Sequence, residues 1–442
     1  MRLAIFVLCS LVSHCHSNDV IEASIVSKEA NSATAPQQAR SHVYQEAMPH
    51  LSVRDDIVKR SPVEDNYMHE VIFAVQQRNM DQILSALHDV SDTDSPNYGR
   101  HWSNEQISAL TINPEGRDAI VSYLHSNGAS VTSESLYGDY ITATAPVSVW
   151  GRVLDTKFHV FHQMQSRGNI IQLVRAEAYS IPVELEKHVD CVLNTIEMPP
   201  KYAKMGAKHE APREMMERNM NGHFKTSALS YGYILPTDLR KYYNMSTNKG
   251  SNSSTQAAFS TNEDWFSPND LKVFQTFDNV YLRQPALIHP NGHASSNPAD
   301  LLPYGDWGEG NLDIQFLIGV SRGSPTTYWH FYNGLARWLV SMRNMIVPNQ
   351  VLSISYGCDE KYMSLSEYRV FETEAIKLSL RGTTILAASG DDGASSHEAR
   401  GGLMSKCDYR PIFPASSPYV VAVGATSVSN LGFIVIVDAC NI

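Results

Sequence analysis

Glu309 and Asp313 lie four residues apart in the stretch Trp307-Gly-Glu-Gly-Asn-Leu-Asp-Ile-Gln-Phe-Leu-Ile-Gly-Val320. At helical spacing they stand one turn apart on one face, and Leu312, Phe316 and Val320 fall on that face too. An i, i+4 acid pair alone is more often a solvated surface, but these apolar companions argue for partial burial. Two carboxylates kept close where water is scarce repel each other, so at least one holds a proton above its usual pKa and can exchange it in acid. A second acidic feature, Ser389-Gly-Asp-Asp-Gly393, follows an apolar run and carries Asp391 to a strand end where glycines allow close backbone approach. Taken alone, it reads as an Asp-Gly turn.

The elements that must position these acids are legible around them. Residues 326–331, 351–356, 383–388 and 419–423 are apolar runs of strand length, and residues 334–342 and 365–380 suit helices, the latter opened by Ser364 and Glu367 in capping-box spacing. Strands alternating with helices predict an α/β fold with a parallel sheet covered on both faces, whose sites lie at the carboxyl ends of the strands. The motif Gly319-Val-Ser-Arg-Gly323 has nucleophile-elbow spacing but follows a helix, where an elbow needs a preceding strand. Gly308-x-Gly310 lacks the third glycine of a dinucleotide loop, and the 17 histidines show no HExxH spacing.

Upstream, residues 1–17 read as a signal peptide and residues 18–65 as a polar, loosely ordered leader. Residues 66–198 form a second α/β unit: Val71, Phe73 and Val75 alternate as a strand, Ile83, Leu84 and Leu87 suit a helix, as do Ile120, Val121 and Leu124, and residues 140–145 and 157–162 add strands. Residues 199–226, rich in Lys, Arg, Glu and Met behind a Pro-Pro pair, read as an exposed linker with a processing site; the dibasic pair Lys59-Arg60 is a weaker cleavage signal.

The 442-residue chain is long enough for two or three domains, and its net charge of -11 argues against a nucleic-acid partner. No apolar run is long enough to span a bilayer, so no membrane partner is expected. Secretion brings an oxidising compartment for Cys191, Cys358, Cys407 and Cys440, whose spacing fits no zinc site, and agrees with glycan acceptor sequons at Asn244 and Asn252.

With the acid helix, the strand-end loop and the run Arg410-Pro-Ile-Phe-Pro-Ala-Ser-Ser-Pro-Tyr-Val-Val-Ala-Val-Gly-Ala-Thr-Ser427 in view, the chain resembles the sedolisins, the serine-carboxyl peptidases. His69-Glu-Val-Ile-Phe-Ala-Val and Asp94-Ser-Pro-Asn-Tyr-Gly99 look like the family's activation prodomain, and Leu235-Pro-Thr-Asp-Leu-Arg-Lys-Tyr-Tyr-Asn244 like the start of its peptidase domain, placed at residues 227–428. The resemblance implies a subtilisin-like fold and a zymogen acting on polypeptides in acid, in the lysosome or outside the cell. It points to the branch that releases tripeptides from N-termini, with the prodomain as intramolecular inhibitor. By similarity, Glu309 is general base and acid, Asp313 its orienting partner, and Asp391 a protonated oxyanion donor.

The resemblance also implies a nucleophilic serine in a Gly-Thr-Ser segment and a calcium site, both beyond the part of the family that this chain matches. Ser427 is not given the nucleophile's role, and no metal ligand is named here. Residues 429–442 depart from the family pattern as a divergent tail, with no evident packing place for the apolar run 433–437, and Asp392 stands where the family commonly has serine. Cys358 and Cys407 are the disulfide candidates near the cleft. Without a nucleophile the acid pair has nothing to deprotonate, and the alternative expectation is a catalytically dead protein that binds peptides or a peptidase relative.

Overall fold

The computed structural model describes residues 41–48, 54, 56–164, 170–199, 203–204, 234–261, 265–277, 285–288, 308–331, 334–391, 410–428 and 434–437. The expected signal peptide, Cys407, Asp392 and nearly all of the linker lie outside these residues.

The N-terminal unit is built on a four-stranded antiparallel sheet with spatial order Ser130–Glu134, Tyr140–Pro146, Met68–Val75, Val189–Leu193. Val71, Phe73 and Val75 alternate onto one face and are buried with Ile120 and Leu124 of the helix Pro114–Ser126. That helix starts where its sequence says it should, with Pro114 in the first turn and the Asn113 side chain accepting the Gly116 N–H at 3.1 Å. Two strands fall inside the segment expected to be a loose leader. His42–Ala47 pairs with Ala178–Pro182, and Ile57–Pro62 pairs with Phe158–Met164. Lys59 and Arg60 therefore sit in a strand rather than a loop.

The C-terminal unit carries the alternation predicted for it. Six strands, Ala286–Ile288, Thr326–His330, Gln256–Ser260, Val351–Ile354, Thr384–Ala388 and Val421–Val423, lie side by side in that order, and every pairing is parallel. Gln256–Ser260 is buried at all five positions, as a strand covered on both faces must be. On one face Ala257, Phe259, Leu352 and Ile385 meet Trp338, Leu339, Phe371 and Leu378 of the helices Leu335–Arg343 and Leu365–Leu380. On the other, Ala258 and Tyr328 meet Leu271 of the helix Pro268–Phe277 and Ile314 and Ile318 of the helix Gly308–Ser321.

Ala203–Lys204 of the linker pairs antiparallel with the strand Tyr356–Asp359, in register Ala203 with Gly357 and Lys204 with Tyr356. The tail expected to lack a packing place contributes Ile434–Val437, which pairs antiparallel with Ala425–Val428.

The units share core and polar contacts. Ile72, Ala74, Tyr140, Cys191 and Leu193 of the N-terminal unit join the cluster around Phe371 and Leu378. The helix Leu365–Leu380 is thus the seat on which the first unit rests.

Candidate active site

The helix Gly308–Ser321 is apolar on nearly every side, so periodicity alone misplaced its buried stripe. Leu312, expected beside the acids inside, is 44% exposed, whereas Glu309, Gly310, Ile314 and Ile318 are buried. The acids border the stripe rather than sharing a face with Leu312. Close approach is set by glycine: a Cβ on Gly310 would lie 2.1 Å from the Trp265 carbonyl oxygen and 2.7 Å from the Tyr328 hydroxyl. The first turn is also tied sideways, because the Asn311 side chain accepts the Ser267 N–H at 2.7 Å and donates to Asp270 at 3.1 Å.

Glu309 is 7% exposed, and Asp313 follows one turn later, half-buried. Burial pushes the Asp313 carboxyl up to about 7, against the opposing pull of a hydrogen bond from Ser355. That bond is short: Ser355 Oγ donates to Asp313 Oδ1 at 2.6 Å. Asp313 Oδ2 is buried and has no hydrogen-bond partner among the described residues.

Ser355 directly follows the strand Val351–Ile354, which pairs with Thr384–Ala388 in register Ile354 with Ala387. The adjacent strand therefore releases Ser389, Gly390 and Asp391 at the same carboxyl edge. Gly390 has φ 100°, a left-handed conformation open to glycine, and Asp391 is exposed just beyond it. The structure thus brings the acid helix, Ser355 and the Asp391 loop to one sheet edge. Ser355 was missed in the sequence reading; its signal was a hydroxyl at the carboxyl end of a strand in a parallel sheet.

The remaining candidates separate. Asn244 and Asn252 are exposed, as glycan acceptors must be. Cys358 is a buried free thiol, and burial pushes it up from its usual range; its expected partner Cys407 is among the undescribed residues. The Gly319–Gly323 motif closes a helix, with Arg322 at φ 55°, and is no elbow. Among the described residues there is no group of three or more His, Cys, Asp or Glu side chains that could hold a metal ion. No described helix is long and apolar enough to cross a membrane.

Residues 55–198, which hold the four-stranded sheet, match the family described as pro-kumamolisin, activation domain. Tripeptidyl-peptidase 1 of Homo sapiens is 27% identical over 369 residues, 80% of this chain and 61% of that protein. The chain is similar to sedolisin-type peptidases, and its residues 55–198 carry their activation domain. Physarolisin of Physarum polycephalum is 27% identical over 396 residues, covering 86% of this chain and 64% of the relative. A solved Pseudomonas sedolisin, a serine-carboxyl proteinase complexed with two molecules of pseudo-iodotyrostatin, is 19% identical over 45% of this chain and 55% of that one, with a TM-score of 0.35. The chain spans about 61% of the length of the human relative. The family match starts at residue 55, within the segment read as the leader, and ends at residue 198, where the second unit was expected to end.

Proposed function

We propose that this chain carries the prodomain and acid pair of a secreted or lysosomal serine-carboxyl peptidase zymogen, which hydrolyses polypeptides in acid and releases tripeptides from their N-termini. One observation carries the reading. A peptide segment, Ala203–Lys204, already lies antiparallel along Tyr356–Gly357, next to the serine whose hydroxyl holds Asp313. Main-chain pairing of this kind is how a sheet edge receives an extended peptide. The linker would then shield the edge until it is cut, with the prodomain as intramolecular inhibitor.

In this reading Glu309 accepts the proton of a serine hydroxyl as that oxygen attacks the peptide carbonyl, then returns it to the leaving amine. Asp313 orients Glu309, and Asp391, protonated, donates to the developing oxyanion. A carboxylate base suits acid, where histidine would already be protonated. The serine and a calcium site are expected in the part of the family that this chain does not match.

The test compares the 442-residue chain with a version carried on to the full length of its relatives, using mass spectrometry to detect tripeptides released from an unblocked peptide at acid and neutral pH. Acid-dependent tripeptides from the longer version, lost in Glu309→Gln with folding intact, support the reading. Cleavage retained in Glu309→Gln removes Glu309 from the mechanism. Saturable inhibition of an active relative by the 442-residue chain, without turnover, supports the binding alternative.

A further inference from the structure

Ser355 stands at a junction. Before it, Val351–Ile354 belongs to the parallel sheet; after it, Tyr356–Asp359 belongs to an antiparallel sheet whose neighbours are Ala203–Lys204 and Ile412–Phe413. The backbone is therefore fixed on both sides of the residue, by parallel partners up to Ile354 and antiparallel partners from Tyr356. The side chain between them reaches across the layer to the acid helix and donates to Asp313 Oδ1 at 2.6 Å. The other oxygen, Oδ2, is buried and has no partner among the described residues. The hydrogen bond restrains the carboxyl through one oxygen and leaves the acceptor sites of Oδ2 for another group.

We infer that Ser355 is a positioning residue, which locks Asp313 through Oδ1, leaves Oδ2 to exchange the proton, and ties the acid helix to the edge where a peptide strand pairs. This rests on the peptidase reading only for its consequence in turnover; the lock itself is a property of the folded chain. A donated hydrogen bond stabilises the charged carboxylate, so removing the hydroxyl should raise the already elevated Asp313 pKa further. Alanine and cysteine at position 355 both remove a strong donor, cysteine with little loss of bulk, and threonine keeps the hydroxyl.

The experiment is a carbon-detected NMR titration of aspartate-labelled 442-residue chain. Ser355→Ala, or Ser355→Cys should alanine unfold the edge, is expected to shift the Asp313 midpoint upward by about one unit or more, and Ser355→Thr to restore it. An unchanged midpoint in a folded Ser355→Cys variant overturns the inference. In the full-length version, Ser355→Ala should lower kcat by roughly 10- to 100-fold with KM little changed and displace the basic limb of the pH profile upward. If Asp313 shifts as expected but no version cleaves peptide, the peptidase reading falls and the lock stands. If peptide is cleaved and neither Asp313 nor kcat responds, the lock falls alone. Covalent labelling of Ser355 by a fluorophosphonate would make it a nucleophile and also overturn the inference.

Discussion

Tyr140 of the prodomain donates its hydroxyl to Glu374 Oε1 at 2.8 Å, in the middle of the helix on which the prodomain rests. Around this bond two carboxylates and two cations close a buried group: Asp139 pairs with Arg343 and, at 3.4 Å, with Lys377, while Glu374 pairs with Lys377 at 3.2 Å and Arg343 at 3.4 Å. All four side chains are 6% exposed or less. Burial alone would lift the Asp139 carboxyl, but Lys377 and Arg343 hold it below its usual range. Removing Asp139 leaves two buried cations to share one carboxylate, that of Glu374. Asp139→Ala should destabilise the chain by about 3–5 kcal/mol, measured by urea unfolding, whereas Tyr140→Phe should cost only about 1 kcal/mol. Equal losses would show that the group is held by packing rather than charge.

A carboxylate of the N-terminal strand His42–Ala47 acts at the start of the same helix. Glu46 accepts the Leu365 N–H at 2.5 Å and the Ser366 N–H at 3.2 Å, two backbone donors that no helical turn can satisfy. Ser364, the N-cap, takes the Glu367 N–H at 3.1 Å. The first turn is thus capped partly by its own sequence and partly by a residue more than 300 positions earlier. Glu46→Ala should cost roughly 1–2 kcal/mol and speed hydrogen exchange at Leu365 and Ser366 while leaving the Glu367 amide protected by Ser364. Uniform exchange across the turn would remove Glu46 as a cap.

These contacts mark where sequence reading stopped. The helix 365–380, four of the six parallel strands and the acid pair follow from periods and caps that act over a few residues, whereas Gln256–Ser260 and Ala286–Ile288 were not read as strands. The strand Ile57–Pro62 was not read either, because five of its six residues are exposed and its apolar signal is nearly absent; it exists because Phe158–Met164, a hundred residues later, pairs with it. Asp139, Arg343, Glu374 and Lys377 carry no local pattern, since only the docked fold brings them together. Of the site, Glu309, Asp313 and Asp391 carried a pattern; Ser355 became meaningful only when the sheet edge met a helix 42 residues upstream.

Gly310 sets how near the acid helix lies to its neighbours. A methyl group there would press on the backbone of Trp265, which cannot yield as a flexible side-chain tip can. Gly310→Ala should therefore cost about 1–3 kcal/mol although alanine favours helices, and it should displace Glu309 and Asp313 together. The check pairs a thermal melt with the Asp313 titration. Greater stability than the parent would mean that helix propensity outweighs the close contact.

Glu367 gives the pH dependence its sign. It is buried beside Ser364, with Glu197 as a like-charged neighbour, and burial first and Glu197 second push its carboxyl from 4.5 up to about 8. Glu197 and Glu46 are raised as well, chiefly by burial, with Arg175 opposing the rise at Glu197. A carboxyl raised in the folded state binds its proton more tightly there than in the unfolded chain, so its contribution is full below about pH 4.5 and is lost as pH climbs through about 8. Asp139, held low, acts in the opposite direction and loses its contribution as pH falls through its lowered value. Glu367→Gln should leave stability nearly unchanged in acid and raise the melting temperature by about 3 °C or more near neutrality, flattening the pH dependence between those limits. A parallel displacement of the whole curve would mean that Glu367 acts through packing, without titrating.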